Sequence, residues 1–349
     1  MKINKHCFPN GLRLVHYEDT STQMVALNIV YDVGARDEHP EHTGFAHLFE
    51  HLMFGGSAHI PDYDTPLQLA GGENNAWTNN DITNYYLTVP KPNVETAFWL
   101  ESDRMLELAF SEQSLEVQRG VVMEEFKQRC LNQPYGDVGH LFRPLAFRVH
   151  PYRWPTIGKE LSHIEQATLD EVKSFFYRFY APNNAVLAVA GNISWDETVK
   201  LTEKWFAPIP RRDVPVRQLP QEPEQTQERR LTVERNVPLD ALFMGYHMCS
   251  REGADYYAFD ILSDILSNGR SSRLNRRLVQ EQNIFSGIDA YISGTRDAGL
   301  LQISGKPAAG VSLEQAEAAV RKELEELQRS PVDGQELEKV KNKFESTQI

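Results

Sequence analysis

The chain has 349 residues, about twice the length of an ordinary single domain, so we expect two domains that each bury a core. Hydrophobic residues make up 41% and charged residues 24% of the chain, a globular composition that excludes a disordered or collagen-like protein. The formal net charge of -13 repels nucleic-acid phosphates and anionic membranes, so we expect no nucleic-acid partner.

The sequence shows neither a pattern typical of a membrane span or targeting signal nor a cysteine spacing typical of a disulfide or metal site. The longest apolar stretches, such as residues 185–190, are far shorter than the roughly 20 residues of a membrane span. Residues 1–18 contain no apolar segment followed by a small-residue cleavage site. We therefore expect a cytoplasmic protein without a membrane span. Cys7, Cys130 and Cys249 form no C-x-x-C pair, which predicts neither a disulfide nor a thiolate metal site.

Apolar periodicity predicts strands and helices in mixed order before residue 207. Alternating patterns predict strands at 12–18, 24–33, 82–89 and 185–193, the first two as a pair. Helical patterns predict helices at 43–55, 94–110, 112–131, 169–180 and from Trp195 onward. This order favours an α+β fold in which one sheet packs against helices.

A proline-rich segment separates the two predicted domains. Residues 208–229 interleave prolines with Arg, Gln and Glu and have almost no apolar periodicity. We therefore predict a first domain at 1–207, a linker at 208–229 and a second domain at 230–349.

The second domain looks like a diverged copy of the first. The positions Phe45, Leu48, Leu52 and Gly55 recur 214 residues later as Phe259, Leu262, Leu266 and Gly269. Because these positions have helical spacing, the repeated feature is the packing face of a helix. In the same register His47, Glu50 and His51 become Ile261, Asp264 and Ile265, so the second copy lacks the polar set. The second domain would also be unusually short or truncated, and residues 314–348 form its charged, amphipathic helical end.

Residues His47, Glu50 and His51 form an H-x-x-E-H motif on one of the predicted helices. Imidazoles four residues apart lie about 40° apart around a helix, so both can reach one metal ion. This pattern is the inverse of the H-E-x-x-H zinc motif. The alternative is that these are ordinary helix histidines with no role in metal binding. The neighbouring residues are apolar, however, which predicts a buried helix, and titratable groups on a buried helix need partners.

A catalytic zinc needs a third protein ligand and an open position. Glu124 and Glu125, in the helix predicted at 112–131, are candidates for the third ligand. Helical periodicity does not separate two neighbouring residues, and a solvated acidic face remains the alternative for both.

Three segments together resemble the pitrilysin/insulinase family of zinc metallopeptidases. They are the H-x-x-E-H motif, G-G-E-N-N-A-W-T at 71–78, and R-G-V-V-M-E-E at 119–125. The likeness is to the smaller two-domain members related to mitochondrial processing peptidase, and it spans essentially the whole chain. It implies two homologous α+β domains, each a mixed β-sheet packed against helices. It also implies one Zn²⁺ per chain and zinc-dependent hydrolysis of extended peptides.

The resemblance implies a role for individual residues. His47, His51 and Glu125 would bind zinc, and Glu50 would act as the general base. In addition, Asn75 and Ala76 would lie on an edge strand that pairs with the substrate backbone, as the family's fold implies.

Two departures from the family pattern bear on the predicted partner. Gln118 stands where many members carry a Glu that supports the site, and we expect it to tune the site by hydrogen bonding. Val279 and Ser286 stand where self-sufficient members carry an Arg and a Tyr that steady the scissile carbonyl. We therefore predict the zinc-bearing subunit of a dimer, either a heterodimer with a zinc-free homologous subunit that donates Arg and Tyr, or a homodimer. The alternative is a non-catalytic peptide-binding or assembly subunit of the same family.

Two further histidines flank the motif. His42 and His59 do not share helical register with His47 and His51, so we predict that both are surface or loop residues.

Overall fold

The computed structural model describes residues 2–348, and the chain divides into two compact units. One unit extends to Arg229 and the other begins at Arg230. Each contains a β-sheet and several helices, as predicted. Within the described residues, no helix combines the length and apolar character needed to cross a lipid bilayer.

The first unit contains a six-stranded mixed sheet. Its strands are β1 (Asn4–Cys7), β2 (Arg13–Glu18), β3 (Met24–Tyr31), β4 (Glu73–Thr78), β5 (Thr83–Pro90) and β6 (Ala185–Gly191). Its helices are α1 (Phe45–Leu52), α2 (Asp64–Leu69), α3 (Val94–Leu106), α4 (Glu112–Phe126), α5 (Val138–Ala146), α6 (Leu161–Glu165), α7 (Leu169–Phe179) and α8 (Trp195–Trp205). The strand order is β1-β2-β6-β3-β5-β4, in which only the β2–β6 pair is parallel.

The prediction that the first two long strands form a pair is wrong. β6 lies between β2 and β3, pairing in parallel with one and antiparallel with the other. The sequence of β6, A-V-L-A-V-A-G, is apolar on both faces, which suits a strand in the interior of a sheet. Its pairing joins Arg13 to Val186, a sequence separation that no local pattern reveals.

One hydrophobic core fixes the helix that carries the H-x-x-E-H motif. Phe45, Leu48, Phe49 and Leu52 of α1 are buried in the same cluster as the inward face of β3. Burying each large apolar side chain contributes about 1.5–3 kcal/mol. The polar residues of α1 are therefore held in place by the apolar residues between them.

The segment 208–229 is held against the first unit by charged side chains. Arg212 and Arg229 donate hydrogen bonds to backbone carbonyl groups, and the Glu222 carboxylate accepts three from backbone N–H groups. Arg217 pairs with Asp32 and with another, almost fully buried, aspartate. The segment is an ordered strap, although it contains no helix or strand.

We expect Arg217→Met to lower the free energy of unfolding by about 3 kcal/mol, because it leaves the buried Asp37 carboxyl group without its main partner. Methionine keeps most of the apolar part of the arginine side chain, so the substitution tests what the positive charge contributes to stability. Urea denaturation measures the effect, with Arg211→Met as the control, because Arg211 is exposed and in the same segment. Equal midpoints for the two variants would contradict the assignment.

The second unit repeats part of the first. It contains β7 (Leu242–Met248), α9 (Tyr256–Ser267), β8 (Phe285–Ile292), β9 (Gly299–Pro307), α10 (Leu313–Arg329) and α11 (Gly334–Gln348). Its strand order, β7-β9-β8, matches β3-β5-β4, and α9 follows β7 as α1 follows β3. This match confirms the predicted pair of homologous α+β domains.

Two details of the second unit differ from prediction. Its described strands form an antiparallel sheet, whereas a mixed sheet was predicted in both domains. The helical pattern at 314–348 is two helices, because α10 ends before Ser330 and Pro331. Proline lacks the backbone N–H that a continuing helix would use.

Candidate active site

The motif helix α1 begins at a turn that requires glycine. Gly44 has a φ of 89°, and a Cβ at this position would lie 2.7 Å from Ile164 Cδ1. The buried Glu38 carboxylate accepts hydrogen bonds from the backbone N–H groups of Gly44 and Ala46, each at 2.9 Å. Burial raises the pKa of Glu38 to about 8, and the two hydrogen bonds oppose this rise. Its carboxyl oxygens cap backbone N–H groups that the first turn of a helix leaves without partners, so these contacts define where α1 starts.

Three predicted ligands converge on one point. His47 Nε2 lies 3.5 Å and His51 Nε2 lies 3.3 Å from Glu125 Oε2. The two imidazole rings are 4.9 Å apart between centroids and nearly perpendicular. Each residue therefore presents one donor atom to a shared position between α1 and α4. The three donor atoms all lie within 4.8 Å of one another.

These donors have the spacing that zinc requires. Zinc bonds of about 2.0–2.1 Å in a tetrahedral arrangement separate neighbouring ligand atoms by about 3.4 Å. The two histidine–glutamate distances, 3.3 and 3.5 Å, lie on either side of this value. His51 and Glu125 also keep part of their side chains exposed, which gives solvent access for an open coordination position. The residues present therefore fit a zinc ion.

The charge states of the ligands agree with this fit. Burial lowers the pKa of His47 to about 4, so its imidazole is neutral at physiological pH. A hydrogen bond from His51 lowers the pKa of Glu125 below its ordinary value, so this carboxylate is ionised. A neutral imidazole at His47 and an ionised carboxylate at Glu125 are the forms that bind metal.

The structure distinguishes the two neighbouring glutamates of α4. The Glu125 side chain is 19% exposed and faces the histidines, whereas the Glu124 side chain is 63% exposed and pairs with Lys127. The structure therefore places Glu125 with the two histidines, and Glu124 lies on the solvated face.

Arg129 holds the second oxygen of Glu125. Its guanidinium lies 2.9 Å from Glu125 Oε1, while Oε2 faces the histidines. Arg129 belongs to a π-helical turn, Lys127–Leu131, that continues α4. The ion pair restrains the carboxylate in the orientation that presents Oε2 to the site, as outer contacts of metal ligands commonly do.

We expect Arg129→Ala to weaken zinc binding by about tenfold, because Glu125 loses this restraint. Competition with a chromogenic chelator measures the affinity. Lys127→Ala is the matched control, since among the described residues the ion-pair partner of Lys127 is the solvated Glu124 on the same helical turn. If both variants bind zinc as the wild type does, Arg129 does not position the ligand.

Glu50 lies on α1 between the two histidines. Burial raises the pKa of its carboxyl group above the ordinary value, and the Thr78 hydroxyl and His51 oppose this rise. Thr78 is the last residue of β4, so Glu50 lies where the motif helix meets that strand. A carboxyl group with a raised pKa beside the convergent donors is suited to accept and return a proton.

The strand β4 is at the edge of the sheet and pairs only with β5 among the described strands. Asn75 is exposed and Ala76 is half-buried, so they project to opposite faces. The backbone N–H of Ala76 donates to Asn75 Oδ1 at 2.8 Å. Asn75 thus satisfies a backbone donor that the sheet does not use.

The other predicted positions are not part of this cluster. Gln118 lies two helical turns before Glu125 on α4, and the structure gives it no hydrogen bond to any described residue. Its supporting role therefore stays a prediction. In the second unit, Val279 packs against the apolar core, and the exposed Ser286 hydroxyl donates to a backbone carbonyl.

Arg129, Thr78 and Glu38 were missed at the sequence level. Arg129 could have been found, because it is four residues after Glu125, the spacing of helical ion pairs. Thr78 and Glu38 contact the motif helix through the fold, and no sequence spacing indicates those contacts.

Comparison with family models identifies the class of protein. Residues 13–138 match the model described as Insulinase (Peptidase family M16), and residues 166–344 match that of the Peptidase M16 inactive domain. The chain therefore belongs to peptidase family M16, as its resemblance to the pitrilysin/insulinase family predicted.

Individual relatives are zinc proteases by name. The chain is 29% identical to zinc protease PqqE of Helicobacter pylori, over 95% of this chain and 76% of PqqE. It is 26% identical to the uncharacterized zinc protease YmxG of Bacillus subtilis, over 99% of this chain and 83% of YmxG. The crystal structure of a protease from H. pylori superposes with a TM-score of 0.94 at 28% identity, covering 99% of this chain and 84% of that one.

Proposed function

We propose that this chain is a zinc-dependent endopeptidase that hydrolyses extended peptides. The observation that carries the proposal is the convergence of His47 Nε2, His51 Nε2 and Glu125 Oε2, with Glu50 on the same helix. The relatives PqqE and YmxG are named zinc proteases, which supports the same metal and reaction.

In this proposal His47, His51 and Glu125 hold the zinc ion. When bound, zinc supplies Lewis acidity, which polarises a peptide carbonyl and acidifies water. Glu50 accepts the proton from the attacking water at its carboxylate and returns it to the nitrogen of the leaving amine. Arg129 keeps the Glu125 carboxylate in position throughout.

The free edge of β4 would bind the substrate as an added strand. Asn75 and Ala76 lie on this edge: the backbone groups of Ala76 would pair with the peptide, and a substrate carbonyl would replace the Asn75 side chain at the Ala76 N–H. Because the pairing uses backbone groups, we expect selection for extended chains over folded proteins.

We further propose that the chain acts in a dimer. Val279 and Ser286 provide neither the guanidinium nor the phenol that would steady a scissile carbonyl. A zinc-free homologous subunit that donates Arg and Tyr would complete the site. Turnover should then rise when such a subunit is added, and a fully active homodimer would contradict the heterodimer.

The direct experiment measures cleavage of a quenched fluorescent, unstructured peptide by the tag-free full chain. We expect turnover to disappear when the metal is removed by dialysis against a chelator, and to return with Zn²⁺ but not with Mg²⁺. Binding of the peptide without cleavage, with zinc bound and the second subunit present, would favour the non-catalytic peptide-binding alternative.

A further inference from the structure

A second cluster of metal-binding side chains lies on an exposed turn before the motif helix. The turn is His39-Pro40-Glu41-His42, closed by a hydrogen bond from the His42 N–H to the His39 carbonyl at 2.8 Å. Proline at the second position of such a turn has its φ already set, which lowers the entropy lost on ordering. Both imidazoles are therefore presented from one short, restrained loop, with ring centroids 5.9 Å apart.

The three side chains offer one donor atom each. Those of His39, Glu41 and His42 lie within 4.8 Å of one another. A fourth donor is adjacent, because Glu171 Oε1 of α7 lies 3.2 Å from His42 Nδ1. Within the described part of the chain, this is the one such group of three outside the candidate active site.

The types of donor atom indicate which class of metal ion the turn would bind. Two imidazoles with one or two carboxylates suit Zn²⁺, Ni²⁺ or Cu²⁺ better than Mg²⁺ or Ca²⁺, which prefer oxygen donors alone. The donors need to approach to about 3.4 Å for tetrahedral zinc. All three turn residues are exposed, so their side chains can close this gap by rotation without disturbing the core.

We propose that this turn is a second, surface site for a divalent transition-metal ion, with His39, Glu41 and His42 as ligands and Glu171 as the fourth. A bound ion would join the turn to α7. His42 also packs edge-on against Phe45, the first residue of α1, at 6.1 Å between centroids. The ion would therefore stabilise the entry into the motif helix. The site is separate from the proposed catalytic one and does not depend on it.

The test measures zinc binding by equilibrium dialysis of tag-free protein. The variants are His39→Ala/His42→Ala, His51→Ala, and the three substitutions together. His6→Ala is the matched control, because it removes an exposed imidazole elsewhere in the first unit. Circular dichroism establishes that each variant is folded, and Glu171→Gln provides a milder change at the same site.

We expect the His51→Ala protein to keep one zinc ion, the protein with all three substitutions to bind none, and His6→Ala to match the wild type. Zinc should also raise the melting temperature of His51→Ala but not that of the triple variant, because an ion that binds only the native state stabilises it. Glu171→Gln removes a charged ligand oxygen, so it should weaken the remaining site by more than the roughly tenfold typical of an outer contact. If His39→Ala/His42→Ala binds as much zinc as the wild type, or His51→Ala binds none, the proposal is overturned.

Discussion

Glu50→Gln is expected to lower the rate of peptide cleavage by about 10²–10⁴-fold while zinc remains bound, because a general base contributes a factor of this size. The amide has nearly the shape of the carboxylate and can still contact the Thr78 hydroxyl, but it does not accept the proton from water. His47, His51 and Glu125 are unchanged, so the metal content should not change.

The experiment pairs turnover of the quenched peptide with zinc content by mass spectrometry. Glu124→Gln is the matched control, since it makes the same chemical change on an exposed residue. Loss of activity with zinc retained supports the role of Glu50 as the base. Wild-type turnover in Glu50→Gln would remove that assignment.

Glu125→Gln is expected to abolish both cleavage and zinc binding at the candidate active site. The charged oxygen that faces the histidines is replaced by a neutral amide, so affinity should fall by more than the roughly 10- to 100-fold typical of outer contacts. His51→Ala should have the same double effect at the candidate active site, because it removes another of the three donors.

The neighbouring residue makes this prediction specific. Glu124→Gln should retain zinc and activity, because its side chain points to solvent and pairs with Lys127. If Glu124→Gln loses zinc and Glu125→Gln retains it, then α4 presents its other face to the site and the ligand set is wrong.

Much of the site could be predicted because it follows from local spacing. His47, Glu50 and His51 lie on one helix, and helical geometry alone brings the two imidazoles together. The third ligand is different, because Glu124 and Glu125 are adjacent and only the packing of α4 against α1 decides between them. The resemblance to a known family favoured Glu125, and the geometry places that residue at the site.

The fold, like the site, could be predicted from the sequence only in part. Most strands and helices of the first unit were readable from the apolar pattern, since each element carries its own periodicity. The repeat was readable from apolar residues that recur 214 positions later. The position of β6 between β2 and β3 was not, because it depends on pairing between residues far apart in the sequence. The attachment of the predicted linker at 208–229 to the first unit was not readable either, because single charged contacts such as that of Arg217 leave no periodic signal.

The central claim is that one metal ion is held by residues from two helices. Anomalous diffraction at the zinc absorption edge, from crystals of the full chain grown with zinc, tests it most directly. We predict a peak within bonding distance of His47 Nε2, His51 Nε2 and Glu125 Oε2 together. Well-ordered side chains at these positions with no anomalous peak among them would contradict the account.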